Sequence, residues 1–202
     1  MILAFDGSRI DGPAYTGVVS LAHRSPGWLD ETVVTWSTYG LALVALLMAV
    51  GWWRARHRSA TAALTGLTAP VIVAVAYGAN SVLKFAVRED RPCHSLHVST
   101  LEACPAPGDW SFPSNHAAIA AAAAVILFFV SRRLGAVAVV AACAMTASRV
   151  WVGAHYPHDV LAGAVVGGLV ALCAGLFLRR EVPGALAGHL AATRLRPLLL
   201  AS

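Results

Sequence analysis

The sequence predicts an all-α integral membrane protein, a bundle of about five transmembrane helices preceded by an N-terminal interfacial helix. Two observations carry that reading. Of the 202 residues, 58% are hydrophobic and only 12% charged, with a mean hydropathy of +0.68, whereas a soluble domain carries about 25% charged residues. The apolar residues are also gathered into runs close to the length that crosses a bilayer.

Taken in order, residues 1–32 form an N-terminal segment. They lack a basic start followed by an apolar stretch, and Asp6, Asp11 and Asp30 break the pattern, so a secretory signal is not expected. An interfacial helix over 1–29 fits better, with a sixth short span as the alternative. Spans are expected over 33–53, 60–83, 134–147 with its continuation, and 160–178. The run 117–130 reaches spanning length if its helix begins near Pro113. Each run then crosses a core of roughly 30 Å at about 1.5 Å per residue. Residues 33–178 make one membrane domain, and 179–202 a cytoplasmic tail.

The net charge of +5 suggests a nucleic-acid partner, but its distribution argues otherwise. Arg54, Arg56 and Arg58 lie between the first two spans, Arg132 and Arg133 between the third and fourth, and Arg179 and Arg180 after the last. These are alternate loops, the positive-inside pattern, which turns 84–112 and 148–159 outward. Arg9 and Arg24 count mildly against that orientation. No nucleic-acid partner is expected, and nothing in the sequence fixes an oligomeric state.

The outward loops hold most of the remaining ionisable residues, and charge near a bilayer points to function. Lys84 and Arg91 are seven apart, so both share a face if the helix continues, and Pro92 should end the span at Arg91. Two such cations clamp an anion, with arginine supplying a bidentate fork. Phe112-Pro113-Ser114-Asn115-His116 precedes an alanine-rich run and suits a helix start, where free amides bind anions. Ser148-Arg149 leads to His155 and Asp159, four apart, which face each other if a helical turn forms around Pro157. An aspartate on one imidazole nitrogen leaves the other free as nucleophile or base. Singly, each group also reads as ordinary membrane-interface chemistry: a snorkelling lysine, a helix cap, a polar hairpin.

Together the three groups resemble the signature motifs K-x6-RP, PSGH and SR-x5-H-x3-D of the type 2 phosphatidic acid phosphatase superfamily, across about 33–178. Asn115 stands where the common motif has glycine, which bears on substrate fit more than on chemistry. Within the superfamily, Phe-Pro-Ser-x-His and the stretch from Ser148 to Asp159 look most like small bacterial undecaprenyl diphosphate phosphatases linked to bacitracin resistance. The resemblance implies a lipid phosphate substrate and a phosphohistidine on His155, with Asp159 orienting it and His116 as acid and then base. It also implies that Lys84, Arg91, Arg149, Ser114 and the amides near Asn115 hold the phosphate. No metal or other cofactor is expected; His94, His97 and His158 lack the paired spacing of a zinc site.

The remaining features read as structure. Gly163 and Gly167 form a GxxxG, and the alanines after His116 suit close packing in lipid. Pro70 and Gly78 should bend the second span, and Asn80 should bond a neighbouring helix. The tryptophans mark span ends. Cys93 and Cys104 share the outward loop and are expected to form a disulfide, while Cys143 and Cys173 fall in apolar spans. Other readings of the whole are a phosphatase for phosphatidic acid, phosphatidylglycerophosphate or another prenyl diphosphate, and a non-catalytic lipid-phosphate binder or transporter.

Overall fold

A computed structural model describes residues 5–181, 189, 192–193 and 196–200. The helices are α1 (Ser8–Ala22), α2 (Gly27–Ala55), α3 (Ala60–Val87), α4 (Pro92–Ser95), α5 (Asn115–Val130), α6 (Arg132–Trp151), α7 (Pro157–Glu181) and α8 (Arg196–Leu199). Four of them, α2, α3, α6 and α7, are long and apolar enough to cross a membrane. The chain is thus a multi-pass membrane protein.

The fifth expected span is shorter than the others. Helix α5 has 16 residues, about 24 Å at ~1.5 Å per residue. Its N-cap is Ser114 rather than Pro113, and Ser131 alone joins it to α6, serving as C-cap of one and N-cap of the other. A short helix is tolerated here because α5 is the central one, packed against α2, α3, α6 and α7. Ala117, Ala118, Ala120, Ala122, Ala123 and Ala124 are all buried, and these small side chains let neighbouring backbones come close. On the facing helix, a Cβ at Gly163 would collide with the Ser114 carbonyl oxygen, and one at Gly167 with that of Ala118. The GxxxG of α7 is therefore the groove into which the start of α5 fits.

Helix α2 begins at Gly27, earlier than the first apolar run, so the expected interfacial segment reduces to α1 and a short connection. Helix α1 kinks at Asp11 (φ −145°, ψ 25°). It lies over the start of α7, where the Tyr15 hydroxyl donates to the Gly153 carbonyl at 3.0 Å and the Tyr15 ring meets that of Tyr156 at 5.4 Å. At the opposite end of the bundle α8 buries Leu199 against Ala55, Ala63 and Val130, and Trp52 Nε1 donates to the Leu198 carbonyl at 3.0 Å. That end also carries Arg54 and Arg58 around the α2–α3 turn and Arg132 and Arg133 at the start of α6.

Candidate active site

Because the long helices alternate in direction, the C-terminal ends of α3 and α6 and the N-terminal ends of α5 and α7 meet at one end of the bundle. All three polar groups singled out in the sequence are brought together there. Lys84, Arg91, Ser114, Arg149, His155 and Asp159 are all buried, an arrangement that a fold keeps only where the charges hold one another or a ligand.

Lys84 and Arg91 do not share a continuous helix. Helix α3 stops at Val87, and Arg88 caps it in the left-handed conformation (φ 56°). The chain then doubles back and presents Arg91 from the N-cap of α4. Lys84 Nζ donates to the carbonyls of Trp110 (2.6 Å) and Ser111 (3.0 Å). Arg91 Nε donates to the Asp109 carbonyl at 3.0 Å, and its Nη2 to the Asp109 carboxylate at 2.9 Å. Its Nη1 donates to the Ala154 carbonyl at 2.9 Å and lies 3.0 Å from His155 Nε2. The two cations thus fasten the loop before α5 to the loop before α7.

Ser114 is the N-cap of α5, yet its Oγ makes no capping bond and is buried with no partner among the described residues. Its amide donates to the Asp159 carbonyl at 3.0 Å. An orphaned buried hydroxyl at a helix N-terminus is a group suited to an anion. Asn115 turns its side chain the other way, accepting from Asn80 Nδ2 at 2.7 Å, while the same Nδ2 donates to the Pro113 carbonyl at 3.1 Å. The residue that departs from the family's glycine therefore staples α5 to α3. His116 occupies the first turn, where Arg149, Glu102, Arg91 and Lys84 are the charged groups that act on it.

Arg149 has partners that the motifs do not contain. Its Nη1 reaches both Glu102 carboxylate oxygens (3.1 and 3.0 Å) and the Ser37 hydroxyl, and Ser37 in turn donates to Glu102 at 2.5 Å. A loop carboxylate thus holds one arm of the guanidinium and leaves Nε buried without a partner among the described residues.

His155 sits in the loop between α6 and α7, 2% exposed. Its Nδ1 lies 3.3 Å from Asp159 Oδ2 and 3.4 Å from Ser111 Oγ. The same carboxylate oxygen accepts from the Ser111 hydroxyl and from the Tyr156 amide, the latter at 2.9 Å. An ionised carboxylate only accepts, so Nδ1 carries the proton. The lone pair is left on Nε2, which faces the Arg91 guanidinium. Burial, followed by the charges of Arg91, Lys84, Arg149 and His116, holds the His155 imidazole well below its ordinary protonation range. The ring is a neutral base whose free nitrogen points into a cationic cluster.

The loop before α5 is tied down by a disulfide between Cys93 and Cys104, with Cα atoms 6.1 Å apart, and by His94 Nε2 bonding the Pro105 carbonyl at 2.8 Å. His97 is exposed on the same loop. Among the described residues outside that bonded cysteine pair, the ligand atoms of Glu89, His158 and Asp159 lie within 4.8 Å of one another, close enough to suit a metal. Both nitrogens of His158 already face carboxylates, however: Nδ1 meets Asp11 at 2.8 Å and Nε2 meets Glu89 at 2.9 Å.

The sequence of the PAP2 superfamily model matches residues 65–182. The undecaprenyl-diphosphatase BcrC of Bacillus subtilis is 30% identical over 156 residues, 75% of this chain and 76% of that one. An undecaprenyl-diphosphatase of Sulfolobus acidocaldarius is 32% identical over 103 residues, half of each chain. Among solved structures, a transmembrane PAP2-type phosphatidylglycerolphosphate phosphatase from Bacillus subtilis superposes with a TM-score of 0.58 at 21% identity, covering 85% of this chain and 87% of the other. With that fold and that match over more than half its length, the chain belongs to the PAP2 superfamily.

Proposed function

We propose that the protein is a lipid phosphatase that hydrolyses undecaprenyl diphosphate to undecaprenyl phosphate, through a phosphohistidine on His155, at the extracytoplasmic face. The observation that carries the chemistry is the orientation of His155, whose Nδ1 is held by Asp159 and whose Nε2 is turned toward Arg91. The substrate rests on the relatives named undecaprenyl-diphosphatase.

In this reading the terminal phosphate enters between Arg91, Lys84, Arg149 and the Ser114 end of α5. Nε2 of His155 attacks phosphorus as the bond to the lipid phosphate oxygen breaks, and His116 gives that oxygen its proton. Water then attacks phosphorus, His116 takes its proton, and the P–N bond breaks to release inorganic phosphate and restore His155. Asp159 balances the charge that develops on the imidazole. The cations and amides stabilise charge on the phosphoryl oxygens, the role a metal fills in other phosphatases, so the reaction needs none.

Phosphate release from undecaprenyl diphosphate, phosphatidic acid and phosphatidylglycerophosphate, each in detergent with excess EDTA, tests the proposal. Turnover of the diphosphate with EDTA present, fastest of the three and absent in His155→Ala, is expected. Loss on chelation that a divalent ion restores would refute the metal-free chemistry. A preference for either monoester would reassign the substrate, and binding without release would make the protein a carrier.

A further inference from the structure

The catalytic reading leaves one oxygen of Asp159 unaccounted for. Oδ2 is saturated by Ser111, the Tyr156 amide and His155. Oδ1 is buried with no hydrogen-bond partner among the described residues, and His158 Nε2 lies 3.4 Å from it. His158 occupies one of the three positions between His155 and Asp159 that the family motif leaves open.

His158 is held from two directions. Its Nδ1 meets Asp11 Oδ1 at 2.8 Å and its amide donates to Asp11 Oδ2 at 2.7 Å. Its Nε2 meets Glu89 Oε1 at 2.9 Å and Oε2 at 3.2 Å. Ionised carboxylates accept only, so a ring bonded to one on each side donates from both nitrogens and is an imidazolium. Glu89 is 1% exposed, and a carboxylate so buried requires a charged partner. The Tyr156 ring stacks on that of His158 at 5.4 Å and 14°, and Phe112 lies 5.9 Å away.

The N-terminal segment builds this arrangement. The kink of α1 at Asp11 turns that carboxylate onto the first turn of α7. Before it, Phe5 pairs with the chain beside Glu89, its amide donating to the Arg88 carbonyl at 3.1 Å and its carbonyl accepting from Asp90 at 2.9 Å. Gly7 between them is pressed so close that a Cβ would strike the Glu89 carboxylate and lie 2.9 Å from the His158 ring. The Glu89 carbonyl accepts from the Ser111 amide at 2.7 Å, which returns the network to the hydroxyl on Asp159.

We infer that Asp11, His158 and Glu89 form a positioning relay through which the N-terminal segment, outside the residues that match the family, fixes the His158 imidazolium beside Asp159 and keeps that carboxylate aimed at His155. Asp159 faces one imidazolium through Oδ1 and orients the nucleophile through Oδ2. The inference rests on the catalytic reading above for the role of Asp159.

Full-length wild type, Asp11→Asn, His158→Gln and the double variant would be compared for kcat, KM and orthovanadate binding, with active protein counted by vanadate titration. Zinc binding would be measured by equilibrium dialysis. The relay predicts a kcat lowered about tenfold in His158→Gln and several-fold in Asp11→Asn, with KM and vanadate affinity little changed. The double variant should be no worse than His158→Gln, because both changes break one chain, and Asp11→Glu should recover part of the loss. Unchanged kcat per active molecule, or losses that simply multiply, would overturn the relay. So would stoichiometric zinc in wild type that His158→Gln abolishes, since His158 would then be a ligand. His155→Ala separates the two readings: if it is inactive while the other variants are normal, only the relay fails. Retained turnover in His155→Ala would remove the reading on which the relay rests.

Discussion

Asp159 Oδ2 lies 3.3 Å from His155 Nδ1 and accepts the hydroxyl of Ser111, a residue outside all three motifs. Ser111 therefore shares the work of fixing the imidazole. Ser111→Ala should lower kcat about tenfold, the loss of one hydrogen bond to a charged group at about 1.5 kcal/mol, with KM nearly constant. Steady-state phosphate release checks this. An equal rise in KM with kcat intact would place Ser111 in substrate binding instead.

Glu102 grips Arg149 at 3.0 and 3.1 Å and brings a negative charge to the site proposed to take the phosphate. Glu102→Gln keeps the shape and much of the hydrogen bonding but removes the charge. Inhibition by orthovanadate should tighten several-fold, about 1 kcal/mol of relieved repulsion in a partly solvated site. Glu102→Ala should gain less, because Arg149 loses its anchor as well. Weaker inhibition in both variants would show that the anchor outweighs the repulsion.

The depressed protonation of His155 couples stability to pH. The unfolded chain binds a proton near the ordinary value of 6.5, while the folded ring resists it. Stability is therefore full above about pH 6.5 and falls as the pH drops from there toward the depressed folded value. Thermal unfolding in detergent between pH 7.5 and 5 should show a smaller drop for His155→Asn than for wild type. Identical slopes would mean that His155 does not carry the pH dependence.

Topology is open to labelling. With Ala106→Cys and Arg56→Cys in separate cysteine-free backgrounds, an impermeant thiol reagent on intact cells should reach the first and spare the second. Ala106 is chosen because it is exposed, whereas the neighbouring Asp109 pairs with Arg91. The reverse pattern would put the site on the cytoplasmic face.

The helices and the gathering of polar residues at one end of the bundle were legible because each leaves a local mark in the chain. Apolar runs report spans, and Lys84, Arg91, His116, Arg149, His155 and Asp159 fall in fixed-spacing groups. The partners of those residues were not legible. Ser37 and Glu102 reach Arg149 across sequence separations of 112 and 47, and Ser111 meets Asp159 across 48; no local pattern encodes such contacts. The end of α3 was also misplaced, since a left-handed Arg88 carries no strong sequence signal where glycine is the usual residue. Asn115 was legible as a departure from the family, but its bond to Asn80 required the packing of α5 on α3.

The account turns on a covalent bond between phosphorus and His155 Nε2. Protein mixed with substrate phosphorus-labelled at the terminal phosphate, quenched in alkali within milliseconds and digested, gives the measurement. The account predicts alkali-stable, acid-labile label on the peptide holding His155, formed at least as fast as turnover, accumulating in His116→Ala and absent from His155→Ala. Rapid turnover with no labelled histidine at any quench time, or label that survives in His155→Ala, would contradict it.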